Sequence, residues 1–173
     1  MKSKIILFTS AILTVLTVGC AKKPVTPPKI ISNVVNKVPI EITATTFEKA
    51  ISSYGTRSIA ITKNLTIDKD LVVDGEFKND KNIIERKIDL YSQDKVKNIT
   101  ARYTLTVPKL TVNSPQTSIE HGVIKGDLYV SSKNFKLIDT KIKGNLYFTT
   151  DEAKSSFKMD TKSIVTGKQE LKK

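Results

Sequence analysis

From Ile59 onward the chain alternates inward-type apolar residues with intervening ones at a period of two, the pattern of half-buried β-strands. Ile59 and Ile61, Leu65 and Ile67, and Leu71 and Val73 each bracket one residue of the opposite face. Asp74-Gly75 then marks a turn. A slower pulse runs over this alternation. Leu71, Leu90, Leu110, Leu128, Leu146 and Ile164 follow at steps of 19, 20, 18, 18 and 18 residues, and Ile99, Ile119, Leu137 and Phe157 form a second, trailing pulse. Ile124–Val130 and Ile142–Phe148 share five of seven residues at an offset of 18. A period this short predicts a stack of strand-rich coils. Neighbouring strands would then lie about 4.8 Å apart, so six coils would make a rod about 25–30 Å long. Each leucine position and the residue two further on would point inward, and the residue between would point out. Ser92 and Thr166 break that apolar rule. An antiparallel sandwich or meander also supplies short strands and regular turns; the near-copy at 124–148 favours the coil.

One helix is predicted ahead of the strands. Thr45 and Glu48 fit the N-cap and N3 positions of a capping box. Phe47, Ala50, Ile51 and Tyr54 recur at helical spacing before Gly55. The order of a short helix and then Ile-x-Ile, Leu-x-Ile and Leu-x-Val-x-Gly, carried by Phe47 to Gly75, resembles the opening of right-handed parallel β-helices of the pectin-lyase-like kind. The resemblance implies an all-β domain over 41–173: a small right-handed parallel β-helix, or solenoid, with a short N-terminal capping helix. A fold-level likeness brings no activity with it.

The N-terminal segment carries an address. Lys2 and Lys4 precede an apolar stretch, Ile5 to Val18, that is short for a spanning helix. It ends in Leu16-Thr17-Val18-Gly19-Cys20, which resembles the lipobox of bacterial lipoproteins, with Thr17 where that pattern usually has leucine. The resemblance implies a signal peptide over 1–19 and a diacylated, N-terminal Cys20. It places the chain on the extracytoplasmic face of the cell membrane, held by a lipid anchor. Two acyl chains hold stably where one does not, at about 0.8 kcal/mol per buried CH₂. Residues 20–40 read as a tether. Pro24, Pro27 and Pro28 favour extended backbone, and Lys22, Lys23 and Lys29 suit acidic head groups.

Charge narrows the function classes. The formal net charge is +12, yet the only arginines are Arg57, Arg86 and Arg102. Lysine spread along a chain lacks the forked donors and the recognisable module that nucleic-acid recognition uses. A diffuse positive charge suits an anionic membrane or wall polymer instead. With one cysteine, Cys20, and one histidine, His121, neither an internal disulfide nor a multi-histidine metal site can form. Asp68, Asp70 and Asp74 cluster, but strand alternation separates their directions. Glu120-His121-Gly122 reads as a turn. No nucleophile, base and orienter can be named together, so neither catalytic nor metal residues are assigned and no cofactor is expected.

The outward positions offer a binding face. Tyr91, Tyr129 and Tyr147 fall at equivalent outward places in the pulse, and Lys125 and Lys143 flank the last two. Thr111 interrupts the series. Stacked tyrosines with neighbouring cations would suit a linear sugar or anionic wall polymer; tyrosine is also simply a good strand residue. The expectation is a membrane-anchored, non-enzymatic lipoprotein that binds or scaffolds at the cell envelope, with a wall polymer or an envelope protein as partner. Two alternatives stand beside it: a minimal or degenerate polysaccharide-acting enzyme, and a self-associating scaffold. For the latter, the Ile-Lys-Gly-Asp-Leu repeats resemble bactofilin-type polymer-forming proteins.

Overall fold

The computed structural model describes residues 42–172. The expected signal segment over 1–19, Cys20 and the whole of the expected tether over 20–40 therefore lie outside the described residues. In chain order the elements are α1 (Ala44–Ile51), β1 (Ser58–Ala60), β2 (Leu65–Thr66), β3 (Leu71–Val73), β4 (Arg86–Asp89), β5 (Tyr91–Gln93), β6 (Ile99–Arg102), β7 (Thr104–Val112) and β8 (Thr117–Glu120). They continue with β9 (Val123–Val130), β10 (Lys136–Ile138), β11 (Lys141–Lys143), β12 (Leu146–Phe148), α2 (Asp151–Ser156), β13 (Lys158–Met159), β14 (Ile164–Val165) and β15 (Gln169–Leu171).

The chain is β-rich, and its two main sheets are parallel. Sheet one runs β1-β4-β8-β10-β13. Sheet two is built on the long strands β7 and β9. β7 takes β2 and β3 side by side on one edge and β9 on the other. β11 and β12 then share the far edge of β9, followed by β14 and β15. Parallel neighbours throughout these sheets overturn the antiparallel sandwich or meander, because a parallel pair needs a crossover rather than a tight hairpin. Among the described residues the antiparallel pairs are the β5–β6 arm and a bridge between Lys78 and Ile84.

Each sheet buries apolar residues in register, in one column in sheet one and in several in sheet two. In sheet one Ile59, Ile88 and Ile119 are each at most 2% exposed, and Leu137 is 1% exposed; Met159, next in register, is exposed. In sheet two Leu71, Leu110, Leu128 and Leu146 pair in sequence. The leucine pulse is thus correct at four of its six members. Leu90 is buried, but it sits just past the end of β4, because β5 turns away at Tyr91 into the antiparallel arm. Asp94 stabilises the tip of that arm by accepting from the backbone N–H groups of Val96 and Asn98. Ile164 is exposed and pairs with Lys141; Gln169 takes the place beside Leu146, since α2 lengthens the last connection. The trailing pulse shifts likewise. Ile99 lies on the arm, and Phe157 stacks on Phe135 while Met159 pairs with Leu137.

The helix also begins earlier than its expected cap. Thr43 is the N-cap, and its reciprocal partner is Thr46. Thr45 and Glu48 do not form the box, and Tyr54 lies beyond the helix, largely exposed. Phe47 and Ile51 face the core. Two carbonyls near the end of α1, those of Ala50 and Ser52, accept from the buried Arg86 guanidinium, which lies over the Phe77 ring and also donates to the Asp74 carbonyl. The Ala50 and Ser52 carbonyls also accept from the Thr56 and Gly55 N–H groups, so Arg86 adds a second donor to each.

The near-copy at 124–148 has a steric cause. A Cβ on Gly126 would sit 1.7 Å from the Val107 carbonyl oxygen, and one on Gly144 would sit 2.1 Å from the Gly126 oxygen. Beside them, Asp127 accepts from the backbone and side-chain N–H groups of Asn145, and Asn145 accepts from the Lys168 N–H. The Gly-Asp and Gly-Asn steps are therefore corner contacts between successive strands.

Candidate functional site

Sheet two positions the expected face. Val72, Thr111, Tyr129, Tyr147 and Glu170 are in register across β3, β7, β9, β12 and β15, and none belongs to the inward leucine column. The Tyr129 and Tyr147 rings lie 4.8 Å apart at 44°. Lys172 covers both: its Nζ is 4.5 Å from the Tyr147 centroid and 5.5 Å from that of Tyr129, and it donates to the Tyr129 hydroxyl at 3.2 Å. Lys109 approaches Tyr129 from the other side at 5.7 Å and pairs with Asp70 at 2.9 Å. A cation over a ring face is attracted by the ring quadrupole. Asp70 raises the Lys109 pKa chiefly through its hydrogen bond, and the Tyr129 hydroxyl raises that of Lys172.

This geometry changes what the tyrosines can do. Tyr147 is only 9% exposed, so its faces are taken by Tyr129 and Lys172. The pair holds an ammonium in place; it does not offer two open rings to a sugar. Lys125 and Lys143 are in register with each other on β9 and β11, both exposed, and neither has an ion-pair partner among the described residues. Like charges placed side by side in a sheet are destabilising.

Tyr91 does not join this face. It stands at the start of β5, edge-on to His121 with centroids 4.7 Å apart. Burial pushes its hydroxyl pKa up, and the charges of Asp89 and Glu120 push it further. The equivalence with Tyr129 fails because the β5–β6 arm leaves the stack at this point. His121, in a left-handed backbone conformation at φ 59°, contacts Asp139 Oδ2 through Nδ1 at 3.0 Å. Arg102 reaches the same oxygen at 2.5 Å. Burial works against the Asp139 charge, but these two hydrogen bonds outweigh it and hold the carboxyl below its usual range. Arg102, Asp139 and His121 thus latch the arm to the turns that follow β8 and β10.

No family model, curated protein or solved structure matches this chain.

The roles at these positions rest on geometry alone. Asp70 is drawn to Lys109, and Asp68, Asp70 and Asp74 do not converge; among the described residues no group of three or more His, Cys, Asp or Glu is placed to hold a metal ion. Sequence reasoning missed Lys109 and Lys172, which come from β7 and from just past β15. It also missed a second row of side chains on sheet one, where Lys87, Ser118, Lys136 and Lys158 are in register. The signal for that row was present: matching Ile119 to Leu137 sets Ser118 beside Lys136.

Proposed function

We propose that this chain is a membrane-anchored, extracytoplasmic lipoprotein whose β-rich domain is a right-handed parallel β-helix with α1 as its cap. Its role is non-enzymatic: it holds an anionic polymer of the cell envelope. The in-register parallel strands of the two sheets, each with buried apolar residues in register, support the coil. The Gly19-Cys20 lipobox likeness supports the anchor on Cys20. Acylation of Cys20 would supply the membrane contact; no helix among the described residues is long and apolar enough to cross a membrane.

The observation that carries the binding role is the neighbouring pair Lys125 and Lys143, without an ion-pair partner among the described residues and on the same sheet as Lys109 and the two tyrosines that Lys172 covers. Lys125, Lys143, Lys172, Tyr129 and Tyr147 form the binding face in this reading, with Tyr147 as a support for Lys172; Tyr91 belongs to the latch of the arm. The three arginines are committed elsewhere: Arg57 to Glu85, Arg102 to Asp139 and Arg86 to backbone carbonyls. A face that offers ammonium groups without guanidinium forks suits point-charge contacts along a polyanion better than base-edge readout.

Sedimentation of the chain with purified cell-wall material at low and high salt tests this reading. Binding should weaken as salt rises and fall further in a Lys125→Gln/Lys143→Gln variant. Binding that ignores both salt and the lysines would defeat it. Incorporation of labelled fatty acid that survives Cys20→Ala would defeat the anchor.

A further inference from the structure

Both main sheets end in the strands that the chain reaches last. β13 is the edge of sheet one, and β14 and β15 are the edge of sheet two. Inward columns that are sealed elsewhere lose their cover there. Leu137 is 1% exposed, whereas Met159, next in register, is 41% exposed. Val165 and Leu171 are half-buried, although their neighbours Ile142 and Phe148 are buried. The first strands differ: α1 packs against β1 and β3 with Phe47 and Ile51 buried.

The backbone of this edge is phased for one more strand. The Leu146 N–H donates to the Lys168 carbonyl, and the Lys172 N–H donates to the Phe148 carbonyl. In a parallel ladder alternate residues turn their backbone groups to the same neighbour. The N–H and carbonyl of Gln169 therefore point away from β12, as do those of Leu171. β13 repeats the arrangement. The Lys158 and Asp160 N–H groups donate to the Phe135 and Leu137 carbonyls, which turns the Met159 groups away from β10. Each of these centres is flanked by a lysine and an acid, as Lys158-Met159-Asp160 and Lys168-Gln169-Glu170. Lys168 and Glu170 are exposed, and neither forms an ion pair among the described residues. Lysine alone is a common device for blunting an edge. The acid two residues on makes this edge complementary to itself.

We propose that this edge binds a second copy of the chain, β15 pairing antiparallel with the partner's β15 about a two-fold axis at Gln169. Each Gln169 N–H then donates to the carbonyl of the partner's Gln169. Lys168 comes to face the partner's Glu170 on the outer side of the sheet, and the symmetry makes that ion pair twice. Gly167 stands across from the partner's Leu171 and leaves it room. Centring on Glu170 would oppose two glutamates and set Lys168 against the partner's Lys172. Centring on Leu171 would draw on Lys172, which already lies over Tyr147 and Tyr129. Head-to-tail growth is blocked, because α1 stands against the first strands that an incoming β15 would need. The contact therefore closes at two copies. It involves neither Lys125 nor Lys143 and does not depend on the wall-polymer reading.

Sedimentation equilibrium of the full chain in detergent tests the proposal, with Cys20→Ala in every arm so that no acyl chain drives association. This parent should pass from monomer to dimer with concentration and form nothing larger. Lys168→Glu and Glu170→Lys each place like charges face to face twice, and each should weaken the dimer about tenfold. An equal mixture of the two variants should regain the parent's affinity, because only the mixed pair restores both attractions. Gln169→Pro removes the central N–H while leaving the pairing with β12, and should also weaken the dimer about tenfold. Far-UV circular dichroism checks that Gln169→Pro folds; the exposed charge variants carry the test if it does not. A chain that stays monomeric at every concentration, as when residues 1–41 cover the edge, would overturn the proposal. So would larger oligomers, single variants that dimerise like the parent, or a mixture that fails to recover. Lys125→Gln/Lys143→Gln should dimerise like the parent, which separates failure here from failure of the wall-polymer reading.

Discussion

Arg86 ties the helix to the sheets. Its side chain is fully buried, and its guanidinium donates to Ala50, Ser52 and Asp74 carbonyls. Burial lowers its pKa to about 10 against the pull of Asp74, so it stays charged at neutral pH. Arg86→Ala would take the guanidinium donor from the Asp74 carbonyl, strip a second donor from the Ala50 and Ser52 carbonyls, and leave a void beside Phe77. It should cost about 3 kcal/mol or more in denaturant unfolding, and a loss under about 1 kcal/mol would refute the role. Asp139 makes a pH prediction. Its folded pKa is depressed, so the latch contributes above the unfolded carboxyl pKa of about 4 and is lost as pH falls through the folded value. Stability should therefore decline more steeply with acid in the parent than in Asp139→Asn, whose left-handed backbone asparagine tolerates. Identical acid slopes for the two proteins would remove Asp139 from the account.

Among the elements, the long strands β7 and β9 organise sheet two, because each pairs with two short strands along one edge. Gly126 lets them approach. Its φ of +136° and the nearby Val107 carbonyl forbid a side chain. Gly126→Ala should destabilise by about 2–3 kcal/mol, readable as a lower thermal midpoint; a neutral result would mean that the β7–β9 corner relaxes freely. Helix α1 was legible through Phe47 and Ile51, but its start was not. Thr43 and Thr46 took the capping roles, since both Thr43–Thr46 and Thr45–Glu48 can close such a box locally and the docking of Phe47 selects the frame. Tyr91 was misplaced for a related reason. The spacing from Leu71 to Leu90 to Leu110 looks like two even steps, whereas Leu71 pairs directly with Leu110. The length between them is spent on β4 of the other sheet, on the β5–β6 arm and on the loop bridged by Lys78 and Ile84.

At the scale of the molecule, lysine is arranged against stability. Lys125 faces Lys143, and Lys136 faces Lys158, on two different sheets. Lys143→Glu should turn a repulsive neighbour into an attractive one and raise stability by about 0.2–1 kcal/mol. The same change should weaken sedimentation with wall material. A variant that is more stable and binds equally well would show that the pair serves no anionic partner.

The sequence alone determined the strand-rich character, the inward residues of most strands and the kinship of the two Ile-Lys-Gly segments. Those follow from alternation and local copies, which depend only on neighbours along the chain. It also carried the Gly19-Cys20 segment on which the proposed anchor rests. The tertiary structure decided which strands pair and which cations stand together. Lys172 meets Tyr129 across 43 residues, and Lys87, Glu120 and Lys136 gather from three strands. Parallel pairing joins residues separated by whole connections of unequal length, and the length of a connection carries no register of its own.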